Sequence, residues 1–212
     1  PVDFTFVDQF NPEFSRDAEA MKLRDGVGFG DNFYYQMTDY IRRFKGIEEP
    51  EQASGQKEIS LDGDILQWDG VGPEFRDTIG DTMYRSAQSF GGEYQYINTT
   101  GRNDIDYAKV SVWDGNLYFL AAAVDDLVLA DDEAWMNLLI DYDGDPETGW
   151  EGYDFILNRS REDGFLSVER FVNNSWEFER VGSAPYTVSG RYLTVQVPES
   201  LLGGRQNDWF DF

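Results

Sequence analysis

Leu138-Leu-Ile-Asp-Tyr-Asp-Gly-Asp-Pro-Glu-Thr-Gly-Trp-Glu-Gly-Tyr-Asp-Phe-Ile-Leu157 decides the fold class. Its two ends, Leu138 to Asp141 and Tyr153 to Leu157, are apolar-rich and strand-like. Between them lie eleven residues, Tyr142 to Gly152, with three Gly and one Pro. A hairpin needs a loop of only about two to five residues, so this one is longer than turning requires. Six carboxylates (Asp141, Asp143, Asp145, Glu147, Glu151 and Asp154) follow one another with no basic residue among them. Like charges packed this closely repel unless water or a cation screens them. Hard divalent ions take about six to eight oxygens, often from loops of this kind. Asp141, Asp143, Asp145 and Glu147 are therefore the candidate metal ligands, and Ca2+ the candidate structural ion. An EF-hand fits poorly: Asp141-x-Asp143-x-Asp145 matches its first half, but Pro146 stands where that loop needs Gly and Gly152 where it needs a bidentate Glu. A solvated acidic loop on a very acidic protein is the plain alternative.

Working outward, short β-rich runs alternate with turn signals. The runs are Ala108 to Val112, Leu117 to Val124, Met136 to Asp141, Phe165 to Val172, Trp176 to Val181 and Tyr192 to Val197. Asp62-Gly, Asp69-Gly-Val-Gly-Pro73, Gly91-Gly, Asp114-Gly-Asn, Asp163-Gly, Asn173-Asn-Ser and Ser189-Gly punctuate the chain. This spacing predicts a mainly β protein, an antiparallel β-sandwich over 57–212. Leu117 to Val124 is apolar on both faces and suits a central strand. Upstream, Val2, Phe4 and Phe6 alternate as in a strand already under way, so the chain is expected to be a piece of a longer protein. Asp31 is a candidate N-cap, and Phe33, Tyr34, Met37, Tyr40, Ile41 and Phe44 mark one face of a helix that Gly46 ends. The predicted organisation is an N-terminal strand–loop–helix segment (1–46), a polar linker (47–56) and the sandwich (57–212).

Several of these segments, in order, are similar to the family-9-type carbohydrate-binding modules and DOMON-like sandwiches. Ile59-Ser-Leu-Asp-Gly-Asp-Ile-Leu-Gln-Trp68 is similar to their opening Asp-Gly-x-Leu-x-x-Trp signature. Asp106-Tyr-Ala-Lys-Val-Ser-Val-Trp-Asp-Gly-Asn-Leu-Tyr-Phe119 resembles their second hairpin. Ile140-Asp-Tyr-Asp143 followed by Thr148-Gly-Trp-Glu-Gly-Tyr-Asp-Phe155 looks like their middle, and Leu193 to Leu202 like their late strand and helical turn. Phe6 to Asp17 and Asp31 to Gly46 resemble the last strand-to-helix unit of glycoside-hydrolase barrels of the family 71/99-like kind. The resemblance implies a non-catalytic carbohydrate-binding module on a glycoside-hydrolase-like enzyme. It would hold that enzyme on a polysaccharide or glycan, with the upstream barrel as partner and an extracytoplasmic location. A purely structural accessory domain is the alternative, and part of a catalytic glycosidase, with Asp8 or Glu13 at a barrel strand end, is a third.

Composition narrows the function further. The 212 residues carry 41 Asp and Glu against 17 Lys and Arg, a net charge of -24. Nucleic acid is an unsuitable partner, since phosphate neutralisation needs Lys and Arg. No apolar run is long enough for a membrane-spanning helix. With no Cys and no His, disulfides, thiol nucleophiles, imidazole bases and the common zinc and haem ligands are absent. Polar neutral ligands and hard cations remain. Six Trp and twelve Tyr suit a sugar platform, where aromatic faces meet pyranose C–H faces. Trp113, beside the Asp114-Gly turn, Trp135, beside Asp131-Asp-Glu133, and Trp150, in the acidic loop, are the candidate sugar-binding residues. Trp68 is expected in the core, Trp176 follows a turn, and Trp209 is a further core candidate. Asn98-Thr-Thr, Asn158-Arg-Ser and Asn173-Asn-Ser match glycosylation sequons.

Overall fold

A computed structural model describes residues 52–80, 82, 85–88, 95–129, 135–203, 210 and 212. The predicted strand–loop–helix of 1–46, with Asp8 and Glu13, lies outside the described residues, as does Trp209. The chain divides into two compact units, 1–50 with 88–95 and 51–87 with 96–212.

The described residues are mainly β. The strands are β1 (Phe75–Arg76), β2 (Arg85–Gln88), β3 (Gln95–Asn98), β4 (Ile105–Trp113), β5 (Asn116–Ala123), β6 (Leu138–Ile140), β7 (Phe155–Glu162), β8 (Phe165–Val172), β9 (Glu177–Ser189) and β10 (Tyr192–Pro198). Helix is confined, among the described residues, to two short 3-10 turns, Ile65–Trp68 and Glu199–Leu201. β2 and β3 pair with each other. The other eight strands form one antiparallel sheet, order β1-β4-β5-β10-β9-β8-β7-β6, curled into a half-barrel.

The hairpins follow from local chemistry. Asp114 and Gly115 both take positive φ, 47° and 71°, so β4 turns into β5 over two residues, with Trp113 opposite Asn116. β9 joins the two parts of the sheet. Its first stretch pairs with β8, from Glu177 opposite Val172 to Pro185 opposite Phe165. Its last four residues, Tyr186 to Ser189, pair with β10. A bulge between Val168 and Glu169 lies opposite the step from Gly182 to Arg180, and bulges bend strands. A Cβ at Gly182 would come within 2.7 Å of the Leu201 side chain, so glycine there lets the last 3-10 turn pack against the sheet.

Alternation sorts the side chains into two clusters. On one face Leu117 and Phe119 of β5 and Val195 and Val197 of β10 share one core with Leu157, Leu166, Val168 and Ile140 from the far strands. On the other face Tyr118 and Leu120 pack with Ile59, Trp68 and Val71. β5 is therefore covered on both sides, as its unbroken apolar run predicts. A buried Leu or Val contributes about 1.5–3 kcal/mol, against about 0–1 kcal/mol for an exposed ion pair such as Arg170–Glu179. Packing of this face, not surface charge, therefore holds the sheet.

Residues 52–56, in the predicted linker, are exposed and irregular. They are nonetheless tied down: Ser54 N donates to Gly72 O (3.1 Å), and Ser54 Oγ accepts from Gly72 N (3.2 Å).

Candidate functional site

The acidic loop leaves β6 at Ile140 and rejoins the sheet at Asp154. The Asp154 N–H donates to Ile140 O (2.9 Å), and its carbonyl accepts from Phe171 N (2.8 Å), so its backbone is fixed from both sides. Its carboxylate turns back into the loop, where Oδ2 accepts from the Tyr142 and Asp143 N–H groups at 2.7 and 3.1 Å. Around it runs a chain of short Asx turns. Asp141 Oδ1 accepts from Gly144 N (2.7 Å), Asp143 Oδ1 from Asp145 N (2.8 Å), and Asp145 Oδ1 from Glu147 N (2.9 Å). A second tight turn closes with reciprocal bonds between Trp150 and Tyr153. Gly149, at φ +62°, is required there: a Cβ would lie 1.9 Å from Tyr153 O.

Asp141, Asp143 and Asp154 each bring a carboxylate oxygen within 4.8 Å of the others. Oxygens bound to one calcium at about 2.3–2.6 Å can stand about 5 Å apart across the ion, so the spacing fits a hard divalent cation. The donor set fits as well, being all oxygen. Burial pushes the Asp154 carboxyl up from its ordinary 3.8; the Tyr142, Asp143 and Thr148 hydrogen bonds oppose this, and the nearby Asp143 charge adds to it. The Thr148 hydroxyl, a single proton, stands within 3.4 Å of four acceptors on Asp143, Asp145 and Asp154. Acceptors thus outnumber protons at the centre of the loop. The candidate ligand set of the sequence changes accordingly. Asp141 and Asp143 are in the triad. Asp145 and Glu147 are exposed and stand outside it, and Asp154, on the far side of the loop, takes their place.

The three candidate tryptophans do not form one platform. Trp135 is 1% exposed, packs in the same core as Leu117 and Leu157, and donates its Nε1 hydrogen to Val128 O (2.7 Å). It offers no face to a ligand, and the acidic neighbours that drew attention to it in the sequence did not report exposure. Trp113 is 38% exposed at the end of β4. Trp150 belongs to an aromatic group that sequence reasoning did not assemble. It stacks on Phe171 (centroids 5.9 Å, 29°) and meets Trp176 edge-on (4.4 Å, 70°). Phe178, opposite Phe171 across β8 and β9, touches both Phe171 and Trp176 at 5.1 Å. Arg159 lies over the Phe178 ring at 3.9 Å and pairs with Glu169. Phe171 is buried while Trp176 is 51% exposed. Asn174 Nδ2 donates to Glu147 O (2.7 Å), tying the β8–β9 turn to the acidic loop. The sequence signal for Trp176 was its place after the Asn173-Asn-Ser turn.

The Asn158 sequon is occluded, since Asn158 is buried and its amide nitrogen donates to the Trp135 and Met136 carbonyls. Among the described residues no helix is long and apolar enough to cross a membrane. Comparison with known proteins found no matching family model, curated relative or solved structure.

Proposed function

We propose that 57–212 is a non-catalytic carbohydrate-binding domain of the sandwich type, similar to the family-9-type modules. In this reading it holds an attached glycoside-hydrolase-like enzyme on a polysaccharide outside the cytoplasm. The observation that carries this is the half-exposed Trp176, seated with Trp150 on buried Phe171 beside a loop of carboxylates. A flat ring held rigidly from below loses little entropy when a sugar stacks on it. Carboxylates nearby accept hydroxyl protons, and a net charge of -24 favours a neutral ligand over an anionic one. The sandwich reading draws on side chains of β5 and β10 meeting those of β6, β7 and β8 in one core. Ca2+ on Asp141, Asp143 and Asp154 would fix the loop that carries Trp150. That is a structural role and needs no reaction at the site.

The test is a tryptophan-fluorescence titration against a panel of soluble polysaccharides. At least one is expected to quench saturably, and Trp176→Ala to weaken that binding about tenfold or more, on the scale of about 1–3 kcal/mol for an aromatic contact. A flat titration over the whole panel, or full affinity in Trp176→Ala with an unchanged melting temperature, defeats the proposal.

A further inference from the structure

β1 and β6 are the two outer strands of the eight-stranded sheet. At about 4.8 Å per strand, a flat sheet would hold them about 34 Å apart. The curl brings them towards each other, and the rings of Phe210 and Phe212 lie between them. Phe212 meets Phe75 of β1 edge-on (centroids 5.1 Å, 88°) and Phe119 of β5 (5.3 Å, 66°). Phe210 meets Phe119 (6.2 Å) and Tyr142 (6.3 Å), the latter just beyond the end of β6. The two rings stand 6.3 Å from each other. Together they link the strand at one edge of the sheet to the loop that leaves the other.

The contact at Tyr142 bears on the acidic loop. Tyr142 stands between Asp141 and Asp143, is 2% exposed, and packs in the larger core. Its N–H donates to Asp154 Oδ2 (2.7 Å). Its hydroxyl donates to Glu199 Oε1 (3.1 Å), in the 3-10 turn Glu199–Leu201. One residue is thus tied to a loop carboxylate by its backbone, and to the C-terminal turn and Phe210 by its ring. A ring in a close-packed interior has few alternative positions, so whatever fixes the ring also fixes the amide.

The two phenylalanines follow a stretch of sequence with little to bury. Gly203-Gly204-Arg205-Gln206-Asn207-Asp208 contains no apolar side chain and reads as a connection. Gly203 is exposed at φ +83°, and a Cβ placed on it would meet nothing within 4 Å. Phe210 and Phe212 are only partly buried, whereas Leu117, Leu157, Val168 and Val197 of the core they cover are fully buried. The free energy of a local opening follows the buried apolar contacts it breaks. Two half-buried rings therefore come away at lower cost than the strands beneath them.

We propose that Phe210 and Phe212 form a displaceable strap, and that its seating sets the order of the acidic loop. Seated, the strap holds the Tyr142 ring, and with it the amide that Asp154 accepts. Released, it uncovers the rings of Phe75, Phe119 and Tyr142 and lets the loop that carries Trp150 open while the sheet stays folded. The strap is a regulatory element for the sugar site proposed above. Its coupling to the loop is a property of the chain alone and holds whether or not Trp150 and Trp176 bind sugar.

The experiment is hydrogen–deuterium exchange of the full chain, without sugar, and of Phe210→Ala and Phe212→Ala. Leu66→Ala is the control for loss of an exposed apolar side chain. In the unaltered chain the amides of 209–212 should be protected, but less than those of β5 and β10. Each Phe variant should raise exchange of the strap and of the Tyr142 and Asp143 amides about tenfold, with β5 and β10 changed by less than about threefold. Leu66→Ala should leave strap and loop unchanged. Phe212→Ala decides the matter, because the ring contacts of Phe212 are Phe75, Phe119 and Phe210 rather than Tyr142. Should a variant not fold, exchange of the unaltered chain in low urea replaces it. Strap and loop amides should then share one opening, with a urea dependence shallower than that of β5 and β10. Four results overturn the proposal: loop exchange unaltered by Phe212→Ala; a strap without protection; a strap that exchanges only together with β5 and β10, which makes it core; or different urea dependences for strap and loop.

Discussion

Replacing Asp154 in two ways separates its backbone role from its charge. Its Oδ2 accepts two N–H groups, from Tyr142 and Asp143, while the whole carboxylate is one of three acids sharing a small volume. Asp154→Asn keeps an oxygen for both N–H groups, turns an amide towards Thr148 and removes one of three like charges. Asp154→Ala strands both donors. A stranded buried donor costs about 1–3 kcal/mol; for two half-buried ones the low end applies, about 2 kcal/mol in all. At about 2–4 °C per kcal/mol for a chain of this size, Asp154→Ala should lower Tm by about 4–8 °C without divalent ions, and Asp154→Asn by at most about 3 °C. Calcium at a hundred times its Kd should add about 2.7 kcal/mol to the unaltered protein, a rise of about 5–10 °C, and little to either variant. The pH dependence has a definite sign. Because burial raises the folded-state pKa of Asp154, the folded protein retains a proton that the unfolded chain has released. Its contribution to stability therefore declines as pH rises from 3.8 through the raised value, and stays lowered above it. Asp154→Asn should flatten that decline in the absence of calcium. The assay is differential scanning calorimetry over pH 3 to 8 with EDTA and with millimolar calcium. Equal destabilisation by Asn and Ala would refute the hydrogen-bond reasoning. An unaltered Tm on adding calcium to the native chain would refute the cation.

Two further substitutions probe the loop and the core. Gly149→Ala places a methyl where Tyr153 O stands, at φ +62°, and should lower Tm by more than Asp154→Asn while leaving the β-sheet circular dichroism in place; an unchanged Tm would show that the turn is not as tight as its geometry requires. Trp135→Phe removes the Nε1 hydrogen bond to Val128 O and part of a buried ring. It should cost about 2–4 kcal/mol by chemical denaturation, and a cost near zero would mean that Trp135 does not close the core.

The fold was legible wherever local chemistry and register agree. Leu117 to Val124 could be read as central because both of its faces are apolar, and burial on both sides of β5 follows from that. Asp114-Gly, Asp163-Gly and Ser189-Gly marked the hairpin turns because left-handed or tight conformations select those residues. The length of β9 was not legible. The run Trp176 to Val181 reads as a whole strand by itself, but β9 continues to Ser189, pairing with β8 as far as Pro185 and with β10 from Tyr186 on. No local signal states that one strand serves two neighbours; the bulge at Val168 and the gap left by Gly182 for Leu201 are long-range facts.

The same division explains the candidate site. Consecutive acids suggested Asp145 and Glu147 as ligands because sequence proximity was the available measure. In the folded loop Asp141 and Asp143 bring carboxylate oxygens together although each also accepts a backbone N–H, while Asp145 and Glu147 lie exposed outside the group. The third acid of the triad comes instead from the start of β7, where Asp154 is pinned between Ile140 O and Phe171 N. Trp135 shows the opposite case: Asp131-Asp-Glu133 adjoin it in sequence, yet its ring is packed in the core, bonded to Val128 O and covered by the Arg161 guanidinium. The aromatic group was invisible because its members are held together by register. Phe171 faces Phe178 only if β8 and β9 pair as they do, and Trp150 reaches Trp176 only because Asn174 anchors the acidic loop to that hairpin. A shift of one residue in that pairing would turn Phe178 to the other face of the sheet, and Phe171 and Trp176 would lose the ring that both touch.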